Sequence, residues 1–563
     1  MLRIAIAQLD PTVGAFEANL KKIEGAYQQA CLEGARLLIT PELGVCGYPP
    51  HDLINRPEMF ERNEKALKYL ETLTLGKSCA LAVGHVGRNP NERGLLAQNC
   101  VTVLEKGKAV FKQAKRLLPT YDVFDEARYF EPATEVKLWE CDGLKIAFAI
   151  CEDLWGQFSL SGRPLYSRGQ NPVEEYKNQK ADLILTLSAS PYEWGKKELR
   201  EKLHADIARS LGVPLIYVNQ VGATDEILFD GGSFALDSQG HIAGRLPYFN
   251  SAFGMIELEP SKKLLFRGPT EVTEKDMNLP ETEILLRGLV VGIQDYFKKT
   301  GFKKVILGLS GGIDSAVVGS LAAKALGREN VLGIAMPSQF SSGHSLEDAE
   351  TLARNLGIAF QVRPIKFLYS MVSREFSQGS PGTLGPLALE NLQSRLRGMM
   401  LMTLSNELGA LVLSTGNKSE LATGYCTLYG DMVGALAPIG DVFKTRVYEI
   451  ARQINKSWGG VIPERSITKA PSAELRPNQV DQDSLPPYEL LDEVLIEYIE
   501  KGSSITEIEA SMKKKNSDIN WVRDILHKLE VNEYKRRQAV PVLKVSPKAF
   551  GIGRRIPIAK RWD

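Results

Sequence analysis

The chain has 563 residues, 44% hydrophobic and 24% charged, with a formal net charge of +1. At about 150 residues per domain this length calls for more than one globular domain. The near-zero charge argues against nucleic acid or an anionic membrane as a bulk partner, and no apolar run is long enough to span a bilayer. In chain order, residues 3–8 read as a strand and 19–33 as a helix with Leu20, Ile23, Ala26, Tyr27 and Ala30 on one face. Residues 35–40, 79–86, 144–150, 182–187 and 215–219 read as further strands. Residues 229–236 and 241–245 read as a hairpin around Asp237-Ser238-Gln239-Gly240. The charged, Pro- and Gly-bearing stretch 261–275 is then a linker between a first domain at 1–260 and a second at 276–540, with a C-terminal tail at 541–563. In the second domain a helix at 281–299 precedes strands at 305–309, 331–336, 359–363 and 411–414. These alternate with helices running to about residue 327 and over 345–356 and 387–407. Such alternation predicts an α/β fold with a doubly wound parallel sheet and ligands at its strand C-termini.

The N-terminus reaches polar residues too early for a signal peptide. The seven cysteines are odd in number and form no Cys-x-x-Cys pair, which favours free thiols and a cytoplasmic location over a disulfide or zinc framework. The six histidines show no paired spacing, and none is assigned to a metal.

The most specific run is Leu307-Gly308-Leu309-Ser310-Gly311-Gly312-Ile313-Asp314-Ser315. A buried strand enters a tight turn of small residues, and a helix follows. Free backbone N–H groups and the positive helix end favour an anion there. Asp314 would repel a bare triphosphate, so a bridging Mg2+ is implied. The Lys of the Gly-x-x-x-x-Gly-Lys loop is missing. The segment resembles the pyrophosphate loop of the N-type ATP pyrophosphatases, an adenine nucleotide alpha-hydrolase-like fold. The resemblance assigns Gly308 to Ser315 to ATP. Further on, Ser414-Thr415-Gly416-Asn417-Lys418-Ser419-Glu420 ends a strand and opens a helix. Thr415 is a candidate nucleotide contact, and Glu420 could join Asp314 on the metal. A helix N-cap followed by an early Glu explains part of the same pattern.

In the first domain, Glu42 and Cys151 follow predicted strands and Lys115 lies in a loop. Singly, each reads as ordinary surface or core. Together, Thr40-Pro41-Glu42-Leu43, Lys115-Arg116-Leu117-Leu118-Pro119 and Cys151-Glu152-Asp153-Leu154-Trp155 resemble the nitrilase, or carbon–nitrogen hydrolase, superfamily. That implies an α-β-β-α sandwich with a Glu42-Lys115-Cys151 triad. An amide carbonyl is a poor electrophile, so a thiolate nucleophile suits it. A thiol of ordinary pKa, ~8.5, needs a base, and Glu42 would serve as that base. Lys115 would face the oxyanion. Tyr121 to Phe130 resembles the glutaminase members, which puts Tyr121 in a glutamine pocket and Glu126 beside the triad. Ser188 to Tyr192 likewise assigns Ser190 and Lys196 to the amino-acid end of glutamine. Surface polarity explains Lys196 as well.

Asn391 and Arg395, four apart on a predicted helix, share a face. Residues 390–397, 425–432, 441–446 and 471–475 and the run Tyr534-Lys535-Arg536-Arg537-Gln538 resemble the glutamine-dependent NAD+ synthetases, a likeness that covers nearly the whole chain. It implies that Lys444 neutralises ATP phosphate and that Asn391, Glu420 and Lys535 contact deamido-NAD+. Ammonia-using members carry Lys and Asp where Leu428 and Ala435 stand, so contacts there should follow the glutamine-dependent branch. The implied reaction activates the nicotinate carboxylate as an acyl-adenylate, releasing diphosphate. Ammonia made at Cys151 from L-glutamine then gives NAD+ and AMP. Free ammonia would protonate in bulk water, which calls for an enclosed tunnel. ATP with Mg2+ is the implied co-substrate, and the family likeness implies a homo-oligomer. Another amidotransferase with a pyrophosphatase half, or a binding protein that keeps both folds, stays open at this level. Gly- and Ser-rich residues 340–345 and 377–385 are candidate lids.

Overall fold

A computed structural model describes residues 1–156, 159–160, 163–166, 171–268, 279–378, 384–515 and 519–561. Contacts divide the chain into two units, Met1–Ile284 and Leu285–Asp563. In the first unit a seven-stranded sheet runs in the spatial order Leu264–Arg267, Ala252–Leu258, Leu2–Gln8, Leu37–Ile39, Ala80–Arg88, Ala97–Glu105 and Lys108–Ala114. A six-stranded sheet runs Ile242–Arg245, Phe234–Leu236, Leu215–Asn219, Leu183–Ser188, Leu144–Ile150 and Leu138–Cys141. Ile4, Ile6, Leu37, Ile39 and Val103 of the first sheet meet Ile146, Phe148, Ile150, Leu185 and Val218 of the second in one core. On the outer face of the second sheet, Ala147, Ile184 and Tyr217 pack under Tyr176, Ile207 and Ala208 of helices Pro172–Asn178 and Lys196–Leu211. Helices Phe16–Leu32 and Pro57–Leu73 cover the other sheet. The result is an α-β-β-α sandwich. Its central strands are buried on both faces, which is why they read as unbroken apolar runs.

Two expectations change, and two strands add to the sequence reading. Residues 229–236 are not one strand: Ile227–Asp230 pairs with Val221–Thr224, and Phe234–Leu236 joins the main sheet. Gly231 and Gly232 between them have φ of 64° and 59°, and the Gln8 side chain occupies the space where a Gly231 Cβ would lie. Part of the expected linker is an edge strand: Leu264–Arg267 pairs antiparallel with Ala252–Leu258, Leu264 is buried, and flanking Lys262, Lys263 and Arg267 mask the pattern. Residues 269–278 of that stretch lie outside the described residues. Finally, strands Ala97–Glu105 and Lys108–Ala114 escaped the sequence reading, because buried Gln98 and Asn99 and exposed Lys108, Ala109 and Val110 break the apolar signal.

The second unit holds a wholly parallel sheet in the order Ala359–Val362, Val331–Ala335, Val305–Gly308, Leu411–Val412. Val305–Gly308 is central, and the chain leaves it first to one side and later to the other. Such a reversal opens a crevice at the strand C-termini. Beyond the sheet, Leu421, Phe443, Leu491, Leu495, Ile525 and Leu529 form a helical core. Val542 and Phe550 of the C-terminal stretch are buried in it. No helix among the described residues is long and apolar enough to cross a membrane.

Candidate active sites

In the first unit, Glu42, Cys151 and Ser188–Ser190 all stand at or just past strand C-termini. Gly84 lets the Glu42 turn press onto the neighbouring strand, since a Cβ there would lie 2.5 Å from the Pro41 carbonyl. Lys115 Nζ donates to Glu42 Oε1 at 2.7 Å and to Glu126 Oε1 at 2.8 Å. The second oxygen of Glu42 accepts the Ala189 N–H at 2.9 Å, and Asn99 Nδ2 donates to Oε1 at 2.7 Å. Tyr48 OH donates to Glu126 Oε1 at 2.9 Å. All of these side chains are buried.

Burial works against the Lys115 ammonium, but Glu126 and Glu42 outweigh it and raise its pKa well above the usual lysine value. Burial pushes the Glu126 carboxyl up to about 7, against the pull of Lys115. Burial, and then the Glu42 charge, hold the Cys151 thiol well above its usual range, while Lys115 pulls the other way. The resting sulfur therefore keeps its proton, with a fixed carboxylate and a fixed cation around it. Cys151 itself has φ 45°.

Beside the thiol, Glu152 accepts from Tyr121 OH at 3.1 Å and from Tyr166 OH at 2.8 Å. Burial raises the Glu152 pKa; among the opposing influences is the charge of Lys196, the first residue of helix Lys196–Leu211. Ser190 N–H donates to Asn219 Oδ1 at 2.9 Å, and Asn219 Nδ2 donates to Asp230, the buried partner of Arg200. Tyr48, Asn99 and Glu152 were missed from sequence. Glu152 carried a signal, a second acid directly after the candidate nucleophile, whereas Asn99 arrives only through the sheet and Tyr48 only through the fold of the loop that carries Glu42.

In the second unit a cavity of about 330 Å³ opens at the strand C-termini. Every residue from Gly308 to Ser315 except Gly311 lines it, together with Thr415, Glu420 and Lys444. Gly311 has φ 78°, and a Cβ there would sit 2.2 Å from the Ser345 carbonyl, so glycine is required. Ser310 Oγ accepts the Gly312 N–H at 3.2 Å, and Ser315 Oγ accepts the Ser310 N–H at 3.2 Å, which pins the loop from within.

Lys444 is bonded to Asp314 and lies 3.9 Å from Glu420. Asn417 Nδ2 donates to Asp314 Oδ1 at 3.0 Å, while Asn417 Oδ1 caps the Glu420 N–H at 3.0 Å. Glu420 closes a capping box with the Asn417 N–H and also faces the cavity, so the helix-cap and site readings both apply. Burial and the Asp314 charge push Glu420 up to about 8. Behind this face, buried Lys418 reaches Asp441 at 3.0 Å, Glu500 at 2.8 Å and Ser546 Oγ at 2.6 Å. Asp441 also accepts the Val545 and Ser546 N–H groups at 2.8 Å, so the C-terminal stretch braces the site.

Asn391 and Lys535 are not in the cavity wall. Asn391 Oδ1 accepts from Thr427 at 2.8 Å, and Lys535 Nζ donates to the Gly424 and Cys426 carbonyls at 2.7 and 2.9 Å. Both hold the segment 424–427. Arg397 and Glu474 do line the cavity and were not singled out. Glu474 accepts from Ser342 N–H, Ser342 Oγ and Ser345 Oγ, which ties the loop 471–475 to one candidate lid, residues 340–345. Residues 379–383 of the other candidate lid lie outside the described residues.

A buried lysine–carboxylate–thiol cluster on a nitrilase-like sandwich, joined in one chain to a phosphate-loop cavity, defines an amide-hydrolysing, nucleotide-using enzyme. Residues 3–261 match the carbon-nitrogen hydrolase family model and residues 285–539 the NAD synthase model. The chain is 46% identical to the glutamine-dependent NAD(+) synthetase of Synechocystis sp., covering 100% of this chain and 99% of that protein. It is 40% identical to that of Thermotoga maritima, over 100% and 99%. The solved Acinetobacter baumannii glutamine-dependent NAD+ synthetase, in complex with ADP, superposes with a TM-score of 0.77 at 36% identity over 99% of this chain and 98% of that one. The chain belongs to the glutamine-dependent NAD+ synthetases.

Proposed function

We propose that the chain converts deamido-NAD+ to NAD+ with ATP and the amide nitrogen of L-glutamine. The observation that carries this reading is Lys115 bridging Glu42 and Glu126 beside Cys151 in one unit, in a chain whose other unit holds a phosphate-loop cavity. In the first unit, Cys151 Sγ attacks the glutamine amide carbon while Glu42 takes the thiol proton and passes it to the departing ammonia. The Lys115 ammonium faces the oxyanion. Glu126 accepts from Lys115 and holds its ammonium in place. Tyr121, Ser190 and Lys196, with Glu152, hold the amino-acid end of glutamine. Water then hydrolyses the thioester to glutamate.

In the second unit, residues 308–315 and Lys444 hold ATP phosphates, and Thr415 contacts the nucleotide. The ADP complex of the Acinetobacter baumannii relative supports this. A nicotinate oxygen attacks the α-phosphorus and diphosphate leaves. Ammonia then attacks the acyl carbon and AMP leaves. Asn391, Glu420 and Lys535 serve the dinucleotide, the first and last through the segment 424–427. Asp314 and Glu420 would hold Mg2+: they are an all-oxygen pair whose mutual repulsion is now relieved by Lys444, which suits a hard cation that keeps water and phosphate as its other ligands. When bound, Mg2+ would neutralise phosphate charge.

The chain also forms a homo-oligomer on this reading. Helices Lys366–Gln378 and Pro386–Leu408 expose Phe367, Met371, Phe376, Leu387 and Met399, and apolar side chains grouped on neighbouring helices mark an interaction surface. Light scattering should show more than one chain per particle for the parent and a smaller species for Met371→Glu; a parent with the mass of one chain, or a variant with the parent's mass, would end the idea. The seven free cysteines support a cytoplasmic location. The central test is product analysis with deamido-NAD+, ATP-Mg2+ and amide-15N glutamine. Labelled NAD+, AMP, diphosphate and glutamate should appear in equal amounts. Glutamate without AMP would favour the other reading, an amidotransferase acting on a different acceptor, and AMP without labelled NAD+ would sink the transfer of glutamine nitrogen to the dinucleotide.

A further inference from the structure

One buried carboxylate joins the two halves of the Glu42–Lys115–Cys151 cluster through the backbone. Asp153 Oδ1 accepts the N–H groups of Arg116 and Leu117, each at 2.9 Å, and Oδ2 accepts the N–H of Ile150 at 3.0 Å. Arg116 directly follows Lys115, and Ile150 directly precedes Cys151. Asp153 is 2% exposed, so little water competes for these bonds.

Both sides of the bridge need it. Lys115 is the last residue tied to its neighbouring strand, by its N–H to the Asn99 carbonyl at 2.8 Å. Past that point the chain leaves the sheet edge, and the next two N–H groups turn to Asp153. On the other side, Cys151 sits at φ 45°, a conformation that a non-glycine residue keeps only when its surroundings impose it. The bond from Ile150 N–H to a side chain three residues on closes the turn through Cys151. Burial pushes the Asp153 carboxyl up to about 6, and bonds from Ile150, Leu117 and Arg116 oppose that rise. They favour the ionised, acceptor-only form that the bridge requires.

We propose that Asp153 is a positioning residue that sets the Lys115 ammonium against the Cys151 sulfur. It rests on the assignment of Cys151 and Lys115 made above. Asp153 touches neither sulfur nor substrate in this role; it fixes the distance between the ammonium that faces the oxyanion and the sulfur that attacks. Misplacement of reacting groups by about an ångström costs on the order of 100-fold in rate.

The test uses the full chain with its two nitrogen sources. Asp153→Asn keeps the volume but turns an NH2 group onto one side of the bridge. Its kcat for glutamine hydrolysis should fall about 100-fold, with the glutamine KM held within about twofold. NAD+ synthesis from ammonium chloride should be unchanged. Iodoacetamide alkylation of Cys151 should slow, since a thiol that has lost the nearby Lys115 cation holds its proton more firmly. Asp153→Glu, which keeps the charge and shifts it by one methylene, should recover part of kcat. Equal loss of both activities, glutamine turnover within threefold of the parent, or failure of both variants to fold would each overturn the proposal, the last by making Asp153 a residue of general stability. Cys151→Ala run in parallel separates the two ideas. Glutaminase retained in Cys151→Ala would remove the underlying assignment, whatever Asp153→Asn shows.

Discussion

Both units place a buried lysine between two carboxylates, yet the two clusters differ in what surrounds them. Lys115 lies between Glu42 and Glu126, with Asn99, Tyr48 and the Ala189 N–H filling the remaining positions. Those carboxylate side chains are 1% and 5% exposed. Lys444 lies between Asp314 and Glu420, whose side chains are 17% and 20% exposed to the open cavity. In each cluster burial lifts one carboxyl toward neutral pH, Glu126 to about 7 and Glu420 to about 8. The first cluster is tightly braced: Glu42 accepts from Lys115, Asn99 and the Ala189 N–H, and Glu126 accepts from Lys115 and Tyr48 on one oxygen. That leaves Glu126 Oε2 and Asn99 Oδ1 as its buried atoms without a partner among the described residues. The second is looser, because the single lysine Lys444 serves both acids, which on the proposed reading phosphates and a cation would reorganise. Preorganised charge suits attack on a neutral amide, whereas exchangeable pairing suits a polyanion that brings its own counterions.

Removing the sulfur should break this comparison most sharply. Cys151→Ala should lower glutamine-driven NAD+ formation by about 10⁴-fold or more, while ammonia-driven formation stays near the parent value; glutamate release and NAD+ yield measured together decide this. Next comes the acid at the phosphate loop. Asp314→Asn should cut ammonia-driven and glutamine-driven NAD+ formation alike, by roughly 10²- to 10³-fold. Glutamate release assayed on its own should show less effect, and a loss confined to glutamine turnover would reverse the assignment of the two units.

The smallest effect concerns protons. Glu126 holds its proton in the folded state up to about pH 7, against 4.5 for a free carboxyl. Unfolded chains release that proton earlier, so raising the pH through 4.5 to 7 favours unfolding, and the cost is complete above 7. Glu126→Gln lacks this term. Relative to that variant, the parent melting temperature should fall on the order of a few degrees between pH 5 and 8. A parent that gains on the variant over that range would show that Lys115 keeps Glu126 ionised throughout.

Much of this architecture was legible before any coordinates, for definite reasons. Central strands such as Leu144–Ile150 and Leu215–Asn219 are buried on both faces, so their apolar runs declare them. The run Ser310-Gly311-Gly312 announced its turn because only glycine fits against the Ser345 carbonyl. The edge strand Lys108–Ala114 stayed hidden because half-exposed strands carry charges like any loop. The split at Gly231 and Gly232 was missed because the glycines sit inside an otherwise strand-like run.

Local sequence determined which residue types could do chemistry: a thiol after a strand, an acid after a phosphate loop, a lysine between motifs. Only the tertiary structure decided their partners. Lys115 is 73 residues from Glu42, and Lys444 is 130 residues from Asp314. The C-terminal stretch, which reads as a tail, supplies Ser546 to the buried network of Lys418 and Asp441. Asp153 shows the same division at close range. Its place two residues after Cys151 is written in the chain, but its hold on Arg116 and Leu117 exists only once two strand ends are brought together. Hydrogen bonds and charge pairs act through a few ångströms of space, and distance along the chain does not record which groups folding will bring within that reach.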